Sequence, residues 1–154
     1  MRTLAILQNQ WLGPNVTIAK LARLNAMPIE IHNRWVAMCL FAGCLTGRRL
    51  QKAFVSQEIN LITWSDASRE AGTHSAAKFP ADPVHIDELM RHVRPDIVIL
   101  FGRIADEGFT DWLQANPDRA PWKIIRSPHP AARGASTVSS LNDVARDWRQ
   151  AVGL

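Results

Sequence analysis

The sequence predicts a single α/β domain over residues 1–154, built as a three-layer α/β/α sandwich around a central, mainly parallel sheet of four strands. The length of 154 residues is enough for one domain of ordinary size. Short apolar runs alternate with helical patterns, and such alternation makes the helices crossovers between parallel strands. One run, Asp96–Phe101, is apolar almost throughout, which is typical of a central strand covered on both faces.

Four short apolar runs are the predicted strands, because polar or turn-forming residues follow each of them at once. In chain order they are Thr3–Leu7, Glu58–Ile62, Asp96–Phe101 and Trp122–Ile125.

Helical patterns lie between these runs. Asp82 and Pro83 supply an N-cap and a first-turn proline, and apolar side chains then recur on one face as far as Val93. The same three-to-four spacing predicts helices over Ile104–Leu113 and from Ser136 to Val152. Two other segments complete the prediction: a mainly helical region from Val16 to Phe54 and a long polar loop over Ser65–Pro80.

The composition is that of a soluble globular protein. Hydrophobic residues make up 47% of the chain and charged residues 21%, and no apolar segment approaches the roughly 20 residues of a membrane span. Two cysteines, Cys39 and Cys44, are too few for a secreted disulfide framework. We therefore expect a cytoplasmic protein.

The charge favours a phosphate-rich partner. The formal net charge is +4, and the basic residues are 14 arginines and 4 lysines. A planar guanidinium binds phosphate through two parallel hydrogen bonds and stacks on bases. Charge alone does not establish nucleic-acid binding, since many small basic domains bind none.

Several common site types lack their motifs here. The sequence contains no G-x-S-x-G elbow, no phosphate-binding glycine-rich loop with its lysine, and no G-x-G-x-x-G. The five histidines do not show metal-ligand spacing. We expect neither a metal nor a cofactor.

In open parallel sheets the ligand lies beyond the carboxyl ends of the strands, so the residues that follow each run are the candidates for a site. Two amides, Asn9 and Asn60, and one imidazole, His129, stand there. Their segments are 8–11, 60–64, 102–103 and 127–130.

In these segments the chain resembles the uracil-DNA glycosylase superfamily. Leu7-Gln8-Asn9-Gln10-Trp11 is similar to the family's G-Q-D-P-Y motif, with Asn9 in place of the aspartate. His129-Pro130-Ala131-Ala132-Arg133-Gly134 is similar to its H-P-S-x-L-S motif. Residues 41–50 resemble the segment with the base-stacking phenylalanine, and Ile59-Asn60-Leu61 resembles the strand that ends in the uracil-reading asparagine.

The resemblance implies an enzyme without metal or cofactor that hydrolyses the N-glycosidic bond of uracil flipped out of DNA, as in base excision repair. We expect it to act as a monomer and to leave an abasic site. His129 would donate a hydrogen bond to uracil O2, where negative charge develops. Asn9 would position the water. Because an amide is not a base, we expect either slower chemistry than an aspartate would allow or help from a carboxylate elsewhere, for which Asp66 in the long loop is the candidate.

The resemblance also assigns the remaining contacts. Asn60 would read uracil through an amide donor and acceptor that match O4 and N3–H and mismatch cytosine. Phe41, or Trp35 in its place, would stack on the base, and Arg133 would act as a wedge in the stack. Gln8 and Trp11 complete the pocket, and Ser127 would also contact DNA. Separately, the charges of Arg48, Arg49 and Arg69 make them weaker candidates for phosphate contacts.

Plainer interpretations remain open at this point. His129 and the two asparagines also suit ordinary turns, Phe41 suits the core, and the arginines suit a solvated surface. Two other functions fit the same residues: a catalytically weak protein that binds uracil-containing DNA or another nucleic acid, or a nucleoside-processing enzyme on a similar sheet.

Overall fold

The computed structural model describes residues 1–8, 23, 26–72 and 79–154. Within this part of the chain, four strands form one all-parallel sheet in the order β2-β1-β3-β4. The strands are β1 (Thr3–Leu7), β2 (Ile62–Asp66), β3 (Ile97–Phe101) and β4 (Lys123–Ser127). The predicted α/β class with a parallel four-stranded sheet is confirmed.

Helices cover both faces of the sheet and give three layers. The described helices are α1 (Ile29–Leu40), α2 (Leu45–Ala53), α3 (Ser56–Asn60), α4 (Pro83–Val93), α5 (Arg103–Ala115) and α6 (Ser136–Val152). Side chains of α1, α2 and α6 share one core with the sheet, and those of α4 and α5, together with Ile29 at the start of α1, share the other. None of the helices in the described ranges is long and apolar enough to cross a membrane.

The central strands are buried on both faces. In β1, Leu4 and Ile6 contribute to the core beneath α4 and α5, whereas Ala5 and Leu7 contribute to the opposite core. All five residues of β3 are fully buried. A continuous apolar run is the sequence signature of such a strand, which is why β1 and β3 are found where the sequence predicts them.

Local signals also place three helices correctly. Asp82 caps α4, because its side-chain oxygen accepts a hydrogen bond from the Val84 N–H at 2.9 Å. The helices predicted over Ile104–Leu113 and from Ser136 are present as α5 and α6. The fourth strand begins one residue later than predicted and extends to Ser127.

The predicted second strand is wrong. Residues 58–60 belong to α3, and β2 begins only at Ile62. The Glu58 side chain folds back to accept a hydrogen bond from the Val55 N–H at 2.9 Å, which stabilises a helical first turn. The loop after β2 therefore starts at Ala67, later than predicted from the sequence.

A two-pronged ion pair joins this short helix to the last helix. Arg149 Nε and Nη2 donate to the two oxygens of Glu58 at 2.5 and 2.7 Å, and Nη2 also donates to the Ala53 carbonyl at 2.9 Å. Glu58 is buried, whereas about a third of the Arg149 side chain is exposed (34%). Hydrogen bonding to Arg149 lowers the Glu58 pKa below its ordinary value of 4.5.

We expect Glu58→Gln to lower the free energy of unfolding by about 2 kcal/mol at pH 7, less than for a fully buried pair because water screens Arg149. Urea unfolding of both proteins between pH 3 and pH 8 measures this. Since the folded pKa is lowered, the difference should be complete above about pH 4.5 and disappear as the pH falls through the folded value.

Asp143→Asn is the matched control, because Asp143 pairs with Arg146 at 2.9 Å on the exposed side of α6. This variant should unfold almost like the wild type. Equal effects of the two substitutions would show that the Glu58 pair is an ordinary surface contact.

Candidate functional site

The carboxyl ends of the four strands bring polar residues to one edge of the sheet. In the described part of the chain, Gln8 follows β1, Asp66 ends β2, Gly102 follows β3 and Ser127 ends β4. The register pairs Leu7 with Asp66 and Phe101 with Ser127, so Gln8 and Gly102 lie one residue beyond that level, along the same edge. The loop after β4 carries His129 to the same edge.

His129 is half-buried, and its own loop sets the orientation of its ring. The Ala131 N–H donates to His129 Nδ1 at 3.1 Å, and the Ala132 N–H donates to the His129 carbonyl oxygen at 2.8 Å. Because Nδ1 accepts a hydrogen bond, the proton of the neutral ring lies on Nε2. His129 therefore has an Nε2–H as its donor.

Gly102 allows His129 to pack against the end of β3. The Gly102 backbone has φ +93° and ψ 167°, a conformation open almost only to glycine, and its N–H donates to the Ser127 carbonyl at 2.8 Å. A Cβ at this position would lie 3.0 Å from the His129 Cβ. Glycine is thus required here both by the backbone and by the close approach.

Arg49 lies against the loop that carries His129. Its Nη1 donates to the carbonyl oxygens of Pro130 at 2.7 Å and Ala132 at 3.0 Å. The sequence predicts a DNA contact for Arg49. The structure instead places this half-buried guanidinium on the protein's own backbone, and we reassign it to the support of the loop.

Asn60 lies away from the predicted site. It is exposed at the end of α3 and precedes β2, so it stands at the amino edge of the sheet. The five residues of β2 separate the two edges by roughly 17 Å. The prediction that Asn60 joins His129 is wrong, because it depends on a strand that ends at Ile62 instead of beginning there.

Asp66 is the residue that actually ends β2. It is almost fully buried, with 1% of its surface exposed, and lies opposite Leu7 of β1. A carboxylate at the carboxyl edge is the kind of group that could assist an attacking water. The alternation of Ile62, Trp64 and Asp66 could have revealed this register, since side chains at every second position of a strand share one face.

Arg69, also predicted to contact DNA, is a structural residue. Its Nε donates to His85 Nδ1 at 3.2 Å, its Nη1 to the Met27 carbonyl at 2.6 Å, and its Nη2 to Glu88 at 2.8 Å. Only 16% of its side chain is exposed. It joins the loop after β2 to α4 and to the residues just before α1.

Two buried histidines lie beside Arg69. The rings of His32 and His85 meet edge to face, with centroids 5.2 Å apart. Burial, and then the nearby Arg69 charge, lower the pKa of His32 to about 4. Burial, followed by the charges of His32 and Arg69, lowers the pKa of His85 to about 3. Both rings are therefore neutral at pH 7.

Phe41 lies within a chain of aromatic rings. It is half-buried and packs edge-on against Trp64, with ring centroids 5.2 Å apart, and Trp64 in turn stacks on Phe101 at 6.3 Å. Phe101 is the last residue of β3, so these rings lead to the carboxyl edge. Trp35 lies instead beside His32, at 6.0 Å.

The other predicted contacts are placed as follows. Arg48 and Arg133 are exposed, and the Ser127 hydroxyl donates to the Pro128 carbonyl at 3.0 Å. Asn9 and Trp11 lie outside the described residues.

An open groove of about 620 Å³ lies elsewhere, between α4 and α5. Its walls include the carboxylates of Asp87, Glu107 and Asp111. Arg91 also lines the groove and pairs with Asp87 at 2.7 Å, and the groove lies on the outer helices, away from His129. The carboxyl edge is therefore the better candidate for the site.

Among the described residues, no group of three or more His, Cys, Asp or Glu side chains is arranged to hold a metal ion. Comparison with protein-family models and with curated proteins finds no match to this chain.

We expect Gly102→Ala to displace His129 and to lower the free energy of unfolding by about 1–3 kcal/mol through backbone strain. Thermal unfolding measures the strain, and the ¹⁵N chemical shifts of the His129 ring report its displacement. Gly153→Ala is the control, because Gly153 also has a positive φ (+80°) but no atom within 4 Å of the place where a Cβ would lie. Unchanged His129 shifts in Gly102→Ala would contradict the proposed close packing.

Proposed function

We propose that this chain is a uracil-DNA glycosylase-like enzyme, which hydrolyses the bond between uracil and deoxyribose in DNA and leaves an abasic site. The observation that carries the proposal is His129, held at the carboxyl edge of an all-parallel sheet with its donor on Nε2. The four-stranded parallel sheet flanked by helices is also what the resemblance to that superfamily implies.

The role of His129 follows from where charge develops in the reaction. When the bond from uracil N1 to the sugar C1′ breaks, the base leaves as an anion whose charge is shared with O2. An Nε2–H donor aimed at O2 gains strength as that charge forms, and so it lowers the barrier. A donor that is already oriented, here through Ala131, needs no reorganisation during the reaction.

The other half of the reaction needs a water and a group that accepts its proton. The water oxygen forms the new bond to C1′, and Asp66 is the carboxylate proposed to take the proton. The negative charge of Asp66 also favours the cationic sugar. Asp66 ends β2, and Gly102, against which His129 packs, follows β3. The two lie about 10 Å apart across β1, a separation that leaves room for a nucleoside and the attacking water between His129 and Asp66.

The remaining parts of the proposal come from the surface of the same edge. Phe41 is proposed to stack on the flipped base, since its ring is half-buried in the aromatic chain that leads to Phe101. Arg133, exposed on the His129 loop, is the proposed wedge, and Arg48 is a proposed phosphate contact. Asn9 and Trp11 keep the roles that the sequence predicts for them.

The direct test is a single-turnover assay with the purified protein and a duplex that contains one uracil. Release of uracil, with an alkali-labile site left in the DNA, is the expected result. Retardation of the DNA without such sites would instead indicate a binding protein. Faster turnover of free deoxyuridine than of uracil in DNA would indicate a nucleoside-processing enzyme.

His129→Ala should lower the single-turnover rate by about 100- to 1,000-fold, because one transition-state donor is lost, while DNA affinity changes little. Rates at saturating DNA and binding titrations separate these two quantities. Asn60→Ala is the matched control, since Asn60 is exposed at the opposite edge, and it should keep the wild-type rate. His129 has no part in the mechanism if the two variants release uracil equally fast.

Asp66→Asn should lower the rate of uracil release about 100-fold, because an amide neither accepts the proton nor stabilises the sugar cation. The measurement is the single-turnover rate on duplexes that contain uracil or cytosine at one position. Full activity on uracil would remove Asp66 from the water-activating role. A gain of cytosine release without loss on uracil would place Asp66 at the base instead.

A further inference from the structure

Arg49 is the side chain that connects α2 to the loop carrying His129. One nitrogen, Nη1, donates to two carbonyl oxygens, that of Pro130 at 2.7 Å and that of Ala132 at 3.0 Å. These residues follow His129 closely in the chain. Hydrogen bonds from a charged donor are about twice as strong as those between neutral groups.

Apart from His129 and Arg133, residues 128–135 offer no polar side chain of their own. Proline has no N–H to donate, and the side chains of Ala131 and Ala132 end in a methyl group. The local bonds run from Ala131 and Ala132 back to His129, and the Thr137 hydroxyl donates to the Ala132 carbonyl at 3.2 Å. Arg49 adds the contact that ties this turn to α2, a helix far away in the sequence.

The helix that carries Arg49 is itself fixed in place. A Cβ at Gly47 would overlap the carbonyl oxygen of Leu40, so α2 begins in direct contact with the end of α1. Leu50, the neighbour of Arg49, is fully buried in the core. The guanidinium therefore extends from a rigid base, which is what a side chain needs in order to set the position of another group.

We infer that Arg49 is a positioning residue for His129: by bonding the carbonyls of Pro130 and Ala132, it holds the Nε2–H donor where uracil O2 accepts it. The inference rests on the proposed function for its catalytic consequence. Its structural half, that Arg49 sets the orientation of the His129 ring, can be tested without any activity.

Three variants test the inference. Arg49→Met removes both hydrogen bonds but keeps a long apolar side chain. Arg49→Lys keeps a charged nitrogen that can donate to both carbonyls, since both bonds come from one nitrogen of Arg49. Lys52→Met is the control, because Lys52 is an exposed cation on the same helix and its loss changes the net charge equally.

Two sets of measurements are made on each protein. The ¹⁵N and ¹H shifts of the His129 ring report the tautomer and its Nδ1 bond, and thermal unfolding reports whether each variant folds. Single-turnover rates and dissociation constants on uracil-containing duplex are then measured at two salt concentrations.

Arg49→Met should shift the His129 resonances and lower the rate at saturating DNA about 10- to 100-fold, as expected for a displacement on the scale of 1 Å. The dissociation constant should stay within about three-fold, because Arg49 acts here through the loop. Arg49→Lys should restore most of the rate and spectrum, and Lys52→Met should match the wild type.

Unchanged His129 resonances in Arg49→Met would overturn the inference. So would a loss confined to the dissociation constant with a shallower salt dependence, since that is the signature of a phosphate contact. If Arg49→Met does not fold, Arg49→Gln takes its place, because its shorter neutral side chain does not reach both carbonyls: a shifted His129 ring there supports the inference, and an unshifted ring overturns it. If the wild type releases no uracil, the glycosylase proposal fails, and the spectra alone decide the role of Arg49.

Discussion

The parallel pairing of β1 with β3 is the interaction on which the rest of the structure depends. It runs from Thr3 opposite Ile97 to Ile6 opposite Leu100, and it places both strands between two helical layers. Because their backbone groups bond within the sheet and their side chains are apolar, these strands leave room for polar chemistry only at their ends. That constraint brings Gln8 and Gly102 side by side and makes the carboxyl edge the place where the outer strands contribute Asp66 and His129.

The same constraint explains which strands could be predicted. A strand covered on both faces shows itself as an unbroken apolar run, and β1 and β3 do so without reference to the rest of the chain. The edge strand β2 contains Thr63, Ser65 and Asp66. Residues 58–60, which precede it, belong to a short helix that Arg149 anchors through Glu58, 91 residues away in the chain. A local sequence pattern does not reveal a contact with a residue so far away in the chain. The pattern therefore predicts a strand over Glu58–Ile62 and, with it, Asn60 at the wrong edge of the sheet.

In the candidate site, too, some residues could be predicted from the sequence and others could not. His129 could be placed from the sequence, because it follows the last strand and because strand ends meet at one edge. The contacts that hold the His129 loop could not be predicted in this way, because the two carbonyl oxygens that Arg49 binds lie 81 and 83 residues away in the chain. Arginine-rich composition does not distinguish a guanidinium that contacts phosphate from one that bonds its own backbone. Arg48 and Arg133 are exposed, whereas Arg49 and Arg69 donate to carbonyl oxygens of the protein backbone. Only the packing of distant segments shows which arginines are exposed and which bind the protein itself.

The buried pair of His32 and His85 makes folding sensitive to acid. In the unfolded chain both imidazoles take up protons near their ordinary pKa of 6.5, whereas in the folded protein they do so only near pH 4 and pH 3. Between these values the unfolded state binds more protons, so each fall in pH favours unfolding, by at most about 3 kcal/mol per pH unit for two sites. Since a domain of this kind has a total stability of only about 5–15 kcal/mol, mild acidity alone removes a substantial part of it. The neutral histidine pair thus lowers the stability of the folded protein as the pH falls below about 6.5, and the Glu58–Arg149 pair adds to this loss below about pH 4.5.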